Sequence, residues 1–193
     1  VTFTHNGSET ITAGFNVSVE DGNEDASAPV AQPFNFTVTP VNDAPVNTVP
    51  GAQSVNEDTA KVFSTANGNA ISISDADAGS NNVQVTLSVA SGTLTMGSLV
   101  GLTVTAGANG SSTVTVQGTQ AAINAGLQGL TYQGNLNFNG GDSLSIVTSD
   151  LGNSGSGGAL TDTDSVAITV NAVNDAPVID VNGRTRTRSA APR

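Results

Sequence analysis

Apolar and polar residues alternate in short runs along most of this chain, and very few runs carry a helical spacing. Ile11 to Val19 puts Phe15, Val17 and Val19 on one side, and Phe34-Asn-Phe-Thr-Val-Thr repeats the pattern. Further runs predict strands near Gln53–Val55, Lys61–Phe63, Ala70–Ser74, Gln84–Ala90, Gly92–Met96, Thr103–Thr105, Ser112–Gln117, Leu130–Tyr132, Ser143–Ser149 and Ser165–Asn171. A period of two sends successive side chains to opposite faces, so each run offers one side for burial. Turn-forming residues separate the runs at short, fairly even intervals. That rhythm predicts an all-β chain of antiparallel, Ig-like β-sandwich modules. One segment departs from it. Thr119-Gln-Ala-Ala-Ile-Asn-Ala-Gly-Leu has a capping residue followed by Ile123 and Leu127 four apart, which predicts a short helix packed across one end of the sandwich.

The chain also repeats itself. Val41-Asn42-Asp43-Ala44-Pro45-Val46 returns unchanged as Val173-Asn174-Asp175-Ala176-Pro177-Val178. Asn and Asp favour turns, and proline removes a backbone donor and holds the preceding residue extended. Both copies therefore read as stiff junctions between packed modules. The likeness extends upstream: Phe15-Asn-Val-Ser-Val-Glu-Asp21-Gly-Asn matches Leu144-Ser-Ile-Val-Thr-Ser-Asp150-Leu-Gly-Asn with one residue inserted. The implied division is 1–43 as the C-terminal part of one module, 44–175 as a complete one, and 176–193 as the next junction plus a basic tail. Val1-Thr-Phe-Thr opens in mid-alternation, so a longer parent chain is expected. An incomplete first module exposes edges and buries little, which leaves room for weak self-association.

Charge sharpens the picture. The net charge is -11, and of the five basic residues Arg184, Arg186, Arg188 and Arg193 all fall in the last ten positions. Lys61 alone faces sixteen carboxylates upstream of them. Like charges repel in a compact state, so an external cation is expected, and nucleic acid is excluded as a partner. The Arg-rich tail reads as an expression scar or a frayed terminus ahead of the alternative, a genuine basic arm. With no cysteine there is neither a disulfide nor a thiolate metal site. No apolar run is long enough to span a membrane, so the adjacent modules of the chain are its expected partners.

The carboxylates cluster where sandwich loops should meet. Asp43 lies in the junction, Asp75-Ala-Asp77 follows a predicted strand with Asn81 close behind, and Asp150 ends a later strand. Ca2+ takes about six to eight oxygen ligands from such groups. Any one of these Asp residues alone reads better as a turn cap; together they point to calcium. Two further acidic stretches are weaker. Gly140-Gly141-Asp142 is either a turn or a single unit of a glycine-rich calcium roll, and Thr161-Asp162-Thr-Asp164 is either an ion site or a solvated edge.

Taken with Glu57 and the Asn-Asp-x-Pro junction, these residues resemble the calcium motifs of cadherin repeats. The run from Val-Asn-Asp-Ala-Pro through Asn56-Glu57-Asp58-Thr59 to Leu160-Thr-Asp-Thr-Asp-Ser is similar to the cadherin-like tandem repeats of giant bacterial RTX-type surface adhesins. The resemblance implies that Asp43 bridges ions, that Asp75, Asp77 and Asp150 bind by carboxylate and Asn81 by its carbonyl, that Glu57 and Asp175 serve the next junction, and that Asp21 serves the one before. The family's acidic residue three positions before the junction Asp is replaced by Pro40 and Ala172. The junction is one residue shorter, and the family's upstream Asp-x-Glu pair has no clear counterpart, with Glu9 as a candidate substitute. Fewer ions than in a full cadherin junction are therefore implied.

No catalytic set emerges. His5 is the sole histidine, beside an Asn-Gly turn, and Tyr132 is the sole tyrosine in a chain without tryptophan, which disfavours a carboxylate glycosidase. The resemblance implies a calcium-stabilised extender module of a bacterial surface adhesin. The competing reading is a module that binds carbohydrate or a protein receptor through its pole loops, and homophilic adhesion is a third. A binding module should present an exposed aromatic or apolar patch.

Overall fold

The computed structural model describes residues 11–19 and 30–177. The expected first strand, His5, Glu9, Asp21 and the Arg-rich tail lie outside the described residues.

Two strands, β1 (Thr12–Val17) and β2 (Gln32–Thr37), form an antiparallel hairpin. A sandwich follows. Its larger sheet contains β4 (Gln53–Asn56), β7 (Asn82–Ser88), β9 (Thr103–Gly107), β10 (Thr113–Thr119), β12 (Gly140–Ser149) and β13 (Thr161–Asn171). They lie in the order β4-β13-β12-β7-β10-β9. The opposite layer pairs β5 (Ala60–Phe63), β11 (Leu130–Gly134) and β8 (Gly92–Thr95), flanked by a two-stranded sheet of β3 (Val46–Thr48) and β6 (Ser72–Ser74). All pairings are antiparallel except β4 with β13.

Alternation dictates which side each strand buries. Val83, Val85 and Leu87 of β7, Leu144 and Ile146 of β12, and Val166 and Ile168 of β13 face Phe63, Leu94, Leu130 and Tyr132 across one continuous core. Each such side chain stabilises the fold by about 1.5–3 kcal/mol when fully buried. The intervening positions carry Gln84, Thr86 and Gln117, and Thr86 and Thr115 bond each other through their hydroxyls at 3.0 Å.

The expected helix is present as α1 (Gln120–Leu127). Thr119 caps it, its hydroxyl accepting from the Ala122 N–H, and Ile123 and Leu127 enter the core. Asn124 adds a function that spacing does not reveal. Its amide donates to the Ile73 carbonyl and accepts from the Ile73 N–H, so it pairs with β6 as a neighbouring strand would.

Every strand expected between residues 53 and 171 forms, with ends shifted by a few residues. The short β3 was not expected. It pairs with β6 and is tied to the larger sheet by the Asn47 N–H donating to Asp162 at 2.7 Å and by Thr148 donating to Asn47. Asp162 therefore holds a strand in place.

Candidate cation and junction site

The first junction copy is built into the sandwich. Asn42 and Pro45 are buried, and Val41 forms a parallel bridge with Ser156. The Asn42 N–H donates to the Ser156 carbonyl, and the Ser156 N–H donates back to the Pro40 carbonyl, both at 3.0 Å. The Asn42 side-chain amide donates to Asp150 Oδ2 at 2.5 Å and to the Gly158 carbonyl at 2.9 Å. Two acceptors on one nitrogen fix the amide's orientation and turn Oδ1 away from them.

Asp150 is fully buried at the end of β12. Its Oδ1 accepts from the backbone N–H groups of Gly152 and Leu160, both at 2.8 Å. Burial alone would raise its pKa, but the Gly152 N–H, the Asn42 amide and the Leu160 N–H outweigh that and hold it below the usual carboxylate range. Both oxygens are thus engaged in holding the loop and the junction together.

Asp75 and Asp77 meet the same segment from the other layer. Asp75 Oδ1 accepts from the Asp77 and Ala78 N–H groups at 3.1 and 3.0 Å, an Asx turn. Its own N–H donates to Gln120 at the start of α1. Asp77 is buried, and its Oδ2 accepts from the Asp43 N–H at 2.9 Å. Asn81 closes the loop through its N–H on the Ala78 carbonyl. Burial, together with the adjacent Asp77 carboxylate, raises the pKa of Asp75.

Three oxygens at this end are buried without a hydrogen-bond partner: Asn42 Oδ1, Asp75 Oδ2 and Asp77 Oδ1. Among the described residues no group of three His, Cys, Asp or Glu side chains is placed to hold a metal ion. The sequence-predicted residues Asp43, Asp75, Asp77 and Asp150 therefore share one end of the sandwich without forming an all-carboxylate cage. What Asp43 supplies there is a backbone N–H. Sequence reasoning missed Asn42, because Asn beside Asp before proline reads as a turn.

Glu57 lies at the opposite end, separated by the length of β12, on the order of 30 Å. It is buried, with Oε1 accepting from the Val173 N–H at 2.6 Å and Oε2 from the Asn139 amide at 3.3 Å. It thereby holds the start of the second junction copy, two residues before Asp175. In that copy Asn174, Asp175 and Pro177 are exposed. Gly140-Gly141-Asp142 forms no roll. It starts β12, and Asp142 receives four donors: the Ala90, Ser91 and Ser143 N–H groups and the Tyr132 hydroxyl.

A family model of the domain of Protein GAMETE EXPRESSED 2 matches residues 67–156, just under half of the chain. The match takes in Asp75, Asp77 and Asp150 but neither junction copy. No curated protein matches the chain. This finding corrects the expected kinship. The chain is similar to a domain of a protein named for expression in gametes, and not to the cadherin-like repeats of bacterial RTX-type adhesins. The bacterial extender function and the adhesin-module alternative rested on that kinship and fall with it. Short Asp and Asn-Asp-x-Pro motifs misled the reading because turn chemistry selects the same residues in unrelated β-sandwiches.

Proposed function

We propose that the chain is a structural, non-catalytic β-sandwich domain of a cell-surface or secreted protein, which clamps the polypeptide where it enters and where it leaves. The observation that carries this reading concerns its buried carboxylates. Among the described residues Glu57, Asp77 and Asp150 are the buried acids. Each accepts a hydrogen bond from a junction copy: Glu57 from Val173, Asp77 from Asp43 and Asp150 from Asn42. Buried charge is costly unless hydrogen-bonded, so these acids are spent on fixing chain direction. The charge of -11 opposes nucleic acid as a partner.

Calcium completes the entry clamp in this reading. Asn42 Oδ1, Asp75 Oδ2 and Asp77 Oδ1 are hard oxygen ligands, and each costs free energy when buried without a partner. Two carboxylates and an amide fill part of a calcium shell, so carbonyls and water must fill the rest. The expected affinity is that of a weak extracellular site, about 10⁻⁴–10⁻³ M.

Thermal unfolding in EDTA and then in millimolar calcium, with magnesium as control, tests the cation. Ions that bind only the folded state raise its stability by mass action, so the midpoint rises with calcium and the rise is absent in Asp75→Asn. Equal midpoints in EDTA and calcium would refute the site. Amide exchange tests the clamps: the Asp43 and Val173 N–H groups are protected, and each becomes fast in Asp77→Ala and Glu57→Ala respectively. Unchanged exchange would refute that part.

A further inference from the structure

Asn139 stands one residue before β12, and its side-chain amide donates to Glu57 Oε2. Glu57 is the acid of the exit clamp. Its N–H donates to the Asn171 carbonyl at 2.8 Å, and its Oε1 accepts from the Val173 N–H. The carboxylate thus grips the departing chain with one oxygen and an asparagine amide with the other. That asparagine is followed by Gly140. Glycine places no side chain beside its own nitrogen, so an Asn-Gly peptide is the one in which the following nitrogen most readily attacks the asparagine Cγ. The Gly140 nitrogen bonds to Cγ, the Cγ–Nδ2 bond breaks, and ammonia leaves with the proton that the Gly140 nitrogen gives up. Water then opens the resulting succinimide at either carbonyl, giving aspartate or its isomer with the main chain running through the side-chain carbon. Either product carries a carboxylate.

Three Asn-Gly pairs lie among the described residues, and the structure guards two of them. The Asn67 amide donates to the Val62 carbonyl, and the Gly68 N–H donates to the Thr65 carbonyl, both at 3.1 Å. Asn109 Oδ1 accepts from the Met96 N–H at 2.7 Å, and the Gly110 N–H donates to the Leu94 carbonyl at 2.8 Å. In both pairs the attacking nitrogen and the side chain it must reach are tied elsewhere. Asn139 is exposed, and the bond to Glu57 is 3.3 Å long. Gly140 forms the terminal rung of the β12–β13 ladder, opposite Val170, and the ends of a ladder open most easily. Its φ of +132° is one that L side chains rarely adopt, so a residue that would shield the nitrogen is strained there.

We propose that Asn139 is a site of spontaneous deamidation, and that its conversion loosens the hold of Glu57 on the departing chain. The product sets an acceptor-only carboxylate against Glu57 Oε2, where an amide donor stood. Glu57 is 7% exposed, so two like charges meet largely away from water and repel. Holding the Val173 N–H then costs more than releasing it. The isomerised product also lengthens the main chain by one atom at the head of β12, beside the strand that leads to Val173. The inference rests on the reading of Glu57 as a clamp and is independent of the cation.

Ageing the full chain in warm, mildly alkaline buffer tests it. Peptide mapping by mass spectrometry follows the replacement of each asparagine amide by a hydroxyl. The expected order is Asn139 ahead of Asn67 and Asn109, with the isomer among the products. Exchange of the Val173 N–H quickens at least about tenfold in the aged chain and in Asn139→Asp, while the amides of β7 stay protected and show that the sandwich remains folded. Asn139→Gln keeps an amide but closes the ring more slowly, and its Val173 exchange is unchanged by ageing. Glu57→Ala separates two failures. Should it leave Val173 exchange unchanged, the clamp is refuted and this inference with it. Should it quicken exchange while Asn139→Asp does not, the clamp stands and this inference falls. An Asn139 that outlasts Asn67 and Asn109 would overturn the proposal as well.

Discussion

Asn42 reaches across 108 residues of sequence to donate its side-chain amide to the fully buried carboxylate of Asp150. The bond joins the segment entering the sandwich to the loop that follows β12. Hydrogen bonds to charged groups contribute about 1.5–3 kcal/mol, so Asn42→Ala should destabilise the chain by that order in urea unfolding. Asn42→Asp should cost more, because it sets a second carboxylate beside Asp150. The repeat provides its own control. Asn174 occupies the same hexapeptide but is exposed, and Asn174→Ala should change stability by less than about 0.5 kcal/mol.

The loop that receives Asn42 depends on Gly155. Its φ is +116°, and a Cβ there would lie 2.5 Å from the Asn42 nitrogen. Gly155→Ala should therefore combine backbone strain of about 1–3 kcal/mol with displacement of the junction. Gly158 also has a positive φ, +77°, but nothing surrounds its missing Cβ, so Gly158→Ala should cost only about 1–2 kcal/mol of conformational strain. Urea midpoints and Asn42 amide exchange separate the two: both variants are destabilised, and only Gly155→Ala exposes Asn42.

Residues 53–171 were legible as a sandwich because each strand meets water on one side and the core on the other. Val83, Val85 and Leu87 announce that by spacing alone. Thr119, Ile123 and Leu127 identified α1 in the same way. Val46–Thr48 did not, since the four residues between Pro45 and Pro50 hold too little pattern to reveal a strand. The site was legible only in part. Asp75, Asp77 and Asp150 stood out as acids, but Asn42 has a partner that the topology alone brings near, and nothing local in its sequence separates a staple from a turn. The motifs taken for kinship reflected turn chemistry.

Asp75 and Asp150 should pull the pH dependence of stability in opposite directions. The folded-state pKa of Asp150 is lowered, so its contribution is present above its unfolded value and is lost as pH falls through the folded one. That of Asp75 is raised. Its folded state binds the proton more tightly, so its contribution is present below the unfolded value and is lost as pH rises through the folded one. In EDTA, Asp75→Asn should remove that loss. It keeps an oxygen for the Asp77 and Ala78 N–H groups, and its new amide can donate to Asp77. The variant should be more stable than wild type at neutral pH by about 1 kcal/mol and insensitive to calcium. Urea unfolding from acid to neutral pH, with and without calcium, reads both effects.

Tyr132 and Asp142 form the last coupled pair. The Tyr132 ring is fully buried and its hydroxyl donates to Asp142 Oδ2 at 2.9 Å. Burial and the neighbouring carboxylate push the tyrosine pKa up. For Asp142, burial acts upward, but the Ser143, Ala90 and Ser91 N–H groups and the Tyr132 hydroxyl together bring it below its ordinary value. Tyr132→Phe leaves three of the four donors on Asp142 and should cost about 1–2 kcal/mol. Asp142→Ala strips the acceptor from the Ala90 and Ser91 N–H groups and from a buried hydroxyl, and should cost about 3 kcal/mol or more. Once Asp142 is gone the hydroxyl is a liability, so the double variant should be at least as stable as Asp142→Ala alone. A double-mutant cycle in urea measures this coupling, and strictly additive losses would show that the Tyr132 hydroxyl does not depend on Asp142. Since the lowered Asp142 stabilises above its unfolded pKa and loses that as pH falls, Tyr132→Phe should also shrink the acid-side loss.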